Sequence, residues 1–305
     1  MEPVLVILTL AAGAMLPLQA AANAQLSKAV GSPFLATTMQ LFAATVLLLA
    51  AAAAMGQLPA IARLPSLPWW HASAGVASAF YVMAGIALFP RLGAVKTIGL
   101  FIAGQMLASV TLDAGSARGL SGITLAGTVT VLAGAAMIVR GQAKPGSASP
   151  ARTGMQWLAL AVLAGAVLPV QGAVNALLLR GLGAPLTVGA ISFAVATLAM
   201  LAVLAVLFAT GRLKRQNGAG LAGMPWWGWM GALSGAFYVT TVFTALPRLG
   251  AAAAVGLTIA GQQLCSIAVD HYGMLRLPRQ PVHAVRLAGV ALLMAGVGCL
   301  KLLTA

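Results

Sequence analysis

The sequence predicts an all-α membrane protein of ten transmembrane helices, arranged as two inverted five-helix repeats. Three observations lead there. The 305 residues are 61% hydrophobic and 7% charged, with a mean hydropathy of +1.00, which is too apolar to cover a soluble fold of this size with polar surface. Ten segments supply the roughly 20 apolar residues that a helix needs to cross the hydrocarbon core. The landmarks of the first five segments also recur, in the same order, in the second five.

The spans cover roughly residues 3–24, 33–55, 69–89, 95–112, 121–139, 155–178, 185–208, 226–246, 251–269 and 284–303. No basic stretch precedes the first, so a cleaved signal peptide is not expected and Val4 opens a membrane span. The fourth is the shortest and carries Lys96 at its start. Residues 141–154, G-Q-A-K-P-G-S-A-S-P-A-R-T-G, are small, polar and proline-bearing, as a linker between two units should be. The expected organisation is a first repeat over 1–140, a linker over 141–154 and a second, inverted repeat over 155–305.

The repeat is read from particular residues. L-P-L-Q-A-A-A-N (16–23) returns as L-P-V-Q-G-A-V-N (168–175) at an offset of 152. P-W-W, A-F-Y and P-R-L-G-A (68–70, 79–81, 90–94) return at an offset of 157. So does Gly99–Asp113, which matches Gly256–Asp270 at nine of fifteen positions. Gly127 and Gly134 match Gly289 and Gly296 at 162. Five spans is an odd number, so the second unit enters from the opposite side and the two are related by a pseudo-two-fold axis in the membrane plane.

Charge assigns the sides. Twelve of the 17 Lys and Arg fall in one alternate set of connections: Lys28, Arg91, Lys96, Arg140, Lys144, Arg152, Arg212, Lys214, Arg215, Arg276, Arg279 and Arg286. The other set holds five: Arg63, Arg118, Arg180, Arg248 and Lys301. The positive-inside rule then predicts a cytoplasmic linker and periplasmic termini. The net charge of +14 reflects only three acids, Glu2, Asp113 and Asp270, and its cations are scattered singly, which argues against a nucleic-acid partner.

Polar residues inside apolar runs mark the candidate site. Gln105 and Gln262 lie near the middle of their spans, where an unpartnered amide costs several kcal/mol and must face protein, water or a ligand. Gly104 and Gly261, just before them, allow close approach of a helix or a ligand. Gln19 with Asn23, and Gln171 with Asn175, each share a helical face. They line a cavity or bond neighbouring helices; both readings fit. Gly13 with Pro17, and Gly165 with Pro169, predict a bend, because each proline removes the hydrogen bond to the glycine carbonyl four residues back. Tyr81 and Tyr238 suit a cavity wall. Asp113 and Asp270, two turns beyond the Gln residues, are expected as helix-end or gate-pairing groups, and Arg91 and Arg248 as snorkelling or gating cations at span ends. The paired Trp69–Trp70 and Trp226–Trp227 read as headgroup anchors, and the glycines of spans five and ten as helix-packing faces.

The sequence also excludes. Cys265 and Cys299 lie in apolar runs without metal-ligand spacing, and no phosphate-binding loop occurs, so neither metal, cofactor nor intrinsic ATP use is expected. Three acids, none at mid-membrane, give a membrane enzyme too few groups for acid–base chemistry.

The P-L-Q-A-A-x-N element, the Trp pair, P-R-L-G between spans three and four and the Gly-Gln of span four resemble the bacterial YdcZ family of the drug/metabolite transporter superfamily, in its fused two-domain form. The resemblance covers nearly the whole chain outside the linker. It implies a ten-span inner-membrane transporter working by alternating access, and brings no substrate with it. Related small multidrug exporters carry a membrane-embedded Glu in their first span. Here Gln19 and Asn23 stand instead, which argues against proton antiport of a cationic drug.

The expected function is a secondary transporter or facilitator for a small polar or amphipathic metabolite, read by hydrogen bonds rather than by charge. Membrane lipids and that solute are the expected partners, and fusion of both repeats is compatible with a monomer. The rivals are a non-transporting sensor or assembly subunit, and an enzyme acting on a lipid-linked substrate.

Overall fold

The computed structural model describes residues 2–116, 121–141, 154–213, 219–272 and 283–302, without the side chains of 2, 89, 90, 93–96, 141, 219, 270, 301 and 302. All regular structure among them is helical: α1 (Glu2–Val30), α2 (Pro33–Ala54), α3 (Gly75–Ala114), α4 (Gly122–Gly141), α5 (Met155–Leu182), α6 (Pro185–Ala209), α7 (Met230–Leu249), α8 (Ala251–Tyr272) and α9 (Ala284–Leu302), with short 3-10 turns before α3 and α7. Nine segments among the described residues are long and apolar enough to span a bilayer, and Ala284–Leu300 is a shorter apolar helix.

Spans three and four, expected as separate helices, form the single 40-residue helix α3. It does not run straight. Tyr81 and Phe101 are 20 residues apart, which a straight helix would separate by about 30 Å, yet their ring centroids lie 5.0 Å apart. The chain therefore turns back between them while keeping helical hydrogen bonding through the corner. Its counterpart in the second repeat is broken: Gly250 (φ 87°) ends α7 and α8 begins at Ala251.

Neither repeat folds around a core of its own. The most extensive interfaces are α3–α5, α4–α9, α1–α8, α2–α6 and α1–α7, and each joins one repeat to the other. The hydrophobic clusters are mixed in the same way, as where Leu41, Leu48 and Ala79 meet Phe193, Met200 and Ala236. Residues related by the pseudo-two-fold can touch only near its axis, and Thr45 and Thr197 do. The Thr45 and Thr197 hydroxyls are 3.3 Å apart. A Cβ placed on Gly134 would lie 2.6 Å from the Gly289 carbonyl oxygen, and one on Gly296 would lie 2.9 Å from that of Gly127. The glycines of α4 and α9 are thus a packing face, as expected.

Candidate functional site

The centre of the molecule is set by two glycine-mediated crossings. A Cβ on Gly13 of α1 would lie 2.0 Å from the Thr258 carbonyl oxygen of α8, and one on Gly261 would lie 1.9 Å from that of Leu10. The second repeat mirrors this: Gly165 of α5 meets Phe101 at 2.1 Å, and Gly104 meets Val162 at 2.0 Å. Gly104 and Gly261 therefore admit a helix backbone. Both α1 and α5 remain helical through Pro17 and Pro169, and the Gly-xxx-Pro glycines serve as the other half of these contacts.

At each crossing a tyrosine packs on the residue whose carbonyl the glycine meets. Tyr81 stacks on Phe101. Tyr238, 8% exposed, lies beside the Thr258 side chain. These pairs correspond by the offset of 157, with an aromatic in one repeat where a hydroxyl stands in the other. The two tyrosines are close enough to interact electrostatically. One turn beyond Phe101 and Thr258 come the paired amides. Gln105 is 4% exposed and makes no hydrogen bond among the described residues. Gln262 is half-buried, and its Oε1 is buried without a partner. Its neighbour Gln263 is 3% exposed at the position corresponding to Met106, a buried amide that sequence reading passed over.

Away from the axis, each repeat contributes an amide wall. In one, Asn175 Nδ2 donates to Ser192 Oγ (3.1 Å) and Gln171 Nε2 to Ser78 Oγ (2.8 Å). In the other, Asn23 Nδ2 donates to Gln40 Oε1, and Gln40 Nε2 donates to the Gly231 carbonyl (3.1 Å). Gln19 lies over Gly235, where a Cβ would come within 3.0 Å of its Nε2. Gln40, 3% exposed, is not marked by the repeat, because its counterpart is Ser192 rather than a second Gln. The available signal was spacing: Gln40 follows Asn23 by 17 residues, as Ser192 follows Asn175.

Asp113 is a helix-end group. It is 9% exposed and accepts from the Ala251 and Ala252 amides, 2.7 Å each, so one carboxylate of the first repeat caps α8 of the second. The Asp270 side chain lies outside those described. Arg91 donates to the Ala87 carbonyl (2.6 Å), and its Cζ sits 4.3 Å from the centroid of the Trp157 ring. The position corresponding to Trp157 in the first repeat is Leu5, so the ring that meets Arg91 has no aromatic counterpart in sequence. Arg91→Ala and Trp157→Leu should each lower stability by about 0.5–1 kcal/mol, and the double variant by no more than one of them, in a thermal-unfolding double-mutant cycle. Arg286, read from sequence as a topology cation, is buried to 1%. No group of His, Cys, Asp and Glu able to hold a metal occurs among the described residues.

The arrangement offers hydrogen bonding and aromatic contact near the midplane, with no carboxylate or cation among the central residues. A family model described as "Putative inner membrane exporter, YdcZ" matches the chain twice, over residues 4–142 and 156–299. A solved crystal structure aligns with a TM-score of 0.71 at 18% identity, covering 99% of this chain and 96% of that one, which shows a shared fold. No functionally curated protein matches the chain.

Proposed function

The chain belongs to the YdcZ family of inner membrane exporters, and on that premise we propose that it is a secondary transporter carrying a small polar or amphipathic solute by alternating access. The solute path runs between the repeats, through Tyr81, Tyr238, Gln105 and Gln262 at the axis and along Gln19 and Asn23 on one side and Gln171 and Asn175 on the other. Asp113 and Arg91 tie one repeat to the other at the span ends, and Asp270 and Arg248 are their counterparts in gating. One observation carries the reading: the two glycine-mediated crossings set Gln105 and Gln262, amides that the fold leaves without partners, at equivalent places where the repeats join. Unpaired buried amides cost stability, and a solute that passes between inverted repeats is what gives them use.

The test is release from proteoliposomes loaded with a defined mixture of isotope-labelled polar metabolites and read by mass spectrometry. Wild type should release a small subset of them. Gln105→Ala/Gln262→Ala should slow that release by about tenfold or more, the equivalent of about 1.4 kcal/mol in a bound state, with insertion unchanged. Equal release by the double variant rejects these residues as the path. The positive-inside count further places the linker in the cytoplasm and both termini in the periplasm. A periplasm-active reporter fused after Ala305 should be active; activity of a cytoplasmic reporter alone reverses the orientation.

A further inference from the structure

The two amide walls occupy equivalent places, but their hydrogen bonds are not equivalent. Gln171 is held by Ser78. The residue that would hold Gln19 in the same way is Gly235, which has no side chain, and none of the hydrogen bonds among the described residues reaches Gln19. On the next turn, Ser192 serves Asn175 with a short hydroxyl, whereas Gln40 reaches past Asn23 to the α7 backbone. Two serines on one wall are thus exchanged for a glutamine and a glycine on the other. The Gly231 carbonyl accepts only, so Gln40 must present its Nε2 there and its Oε1 to Asn23. That order fixes Asn23 as donor and leaves its Oδ1 an unpaired acceptor, as the Oδ1 of Asn175 is on the other wall, so the inequality lies at Gln19 and Gln171.

We propose that the walls are chemically unequal: Gln19 is the amide that reads the solute, and Gln171 is a structural amide held by Ser78. This rests on the reading that the walls line the solute path. Gln40 is a positioning residue that orients Asn23 beside Gln19. The helix α1 runs toward the linker side and α5 away from it, so the free amide lies in the half of the membrane nearer the linker. A free primary amide presents donors and an acceptor in one plane. The solute class it fits carries the complementary edge, an N–H beside a carbonyl, as in an uncharged carboxamide or lactam. A charged group would enter this wall without a counter-ion, at a large desolvation cost. The solute is then held more tightly when the linker-side half is open than when the opposite half is open.

The experiment uses the purified full-length chain in lipid nanodiscs, with benzamide as the carboxamide probe and methyl benzoate and benzoate as matched controls. Thermal unfolding is followed across a concentration series. Gln40→Ser/Gly235→Ser makes the linker-side wall a copy of the other, and Ser192→Gln/Ser78→Gly does the reverse. Gly235→Ser requires only the end of the flexible Gln19 side chain to shift. Wild type should be stabilised by benzamide, with both controls at least about tenfold weaker. The first double variant should unfold about 2 °C higher without ligand, because Gln19 gains a partner, and bind benzamide about tenfold more weakly. The reverse variant should bind at least as well as wild type. Absence of benzamide binding, or equal binding of methyl benzoate, overturns the solute class. Equal weakening in both double variants overturns the inequality while leaving the path intact. Binding unchanged in the first double variant and in Gln105→Ala/Gln262→Ala rejects the path itself. Should a double variant fail to accumulate, Ser78→Gly alone adds no atoms and must leave benzamide binding no weaker than wild type.

Discussion

Replacing Asp113 with Ala should lower the thermal unfolding midpoint by roughly 5 °C, the shift expected for about 3 kcal/mol in a chain of this size. Both carboxylate oxygens are engaged at 2.7 Å, and the donors, Ala251 and Ala252, are each 1% exposed. The alanine variant leaves two buried amides without acceptors, and hydrogen bonds to a charged acceptor contribute about 1.5–3 kcal/mol each. The carboxylate also faces the positive end of the α8 dipole. Gly250, with φ 87°, ends α7 immediately before, so those amides have no preceding turn of helix to bond. Asp113→Asn retains an acceptor oxygen but loses the charge and one bond, and should fall between wild type and Asp113→Ala. Differential scanning fluorimetry on detergent-purified protein reads all three. A midpoint for Asp113→Ala within 2 °C of wild type would show that the bidentate cap is dispensable.

Adding a single carbon at the helix crossings should be costlier still. Gly13→Ala and Gly165→Ala place Cβ atoms 2.0 and 2.1 Å from the carbonyl oxygens of Thr258 and Phe101. What blocks them is backbone, so α1 must move off α8, or α5 off the second arm of α3, to relieve the contact. Forced overpacking of that kind costs about 3 kcal/mol or more, and it acts where the repeats join rather than inside one of them. Gly298→Ala is the matched control: nothing lies within 4 Å of its Cβ, and alanine is the better helix former. Gly13→Ala and Gly165→Ala should give little monodisperse protein by fluorescence-detected size exclusion, whereas Gly298→Ala should match wild type. Equal yields from all three would remove the crossings from the account.

The legible part of the fold was what periodicity and repetition encode. Hydropathy located the spans, and the matched landmarks gave the inverted relation before any contact was known. The corner of α3 was not legible. The same P-R-L-G-A letters make a continuous helical turn at 90–94 and a break at 247–251, so the difference comes from tertiary context, including the Asp113 cap on the second. Pro17 and Pro169 predict bends, and the glycines before them also make interhelical contacts that spacing does not show, because a missing Cβ serves close packing as well as flexibility. Among the candidate residues, the pairing of Tyr81 with Tyr238 follows from symmetry, but the packing of Tyr81 on Phe101 could not be read from spacing. Gln40 and Gln263 escaped because the reading looked for residues kept in both halves, and these two are where the halves differ.

The central claim is that a solute path between the repeats opens to one side through Gln19 and to the other through Gln171. It is tested most directly by side-specific labelling. With Cys265 and Cys299 changed to Ser, single cysteines at positions 19 and 171 would be exposed to a membrane-impermeant maleimide in right-side-out and inside-out vesicles. The account predicts that Gln19→Cys reacts only from the linker side and Gln171→Cys only from the opposite side. Both reacting from one side, or neither reacting from either, would contradict it.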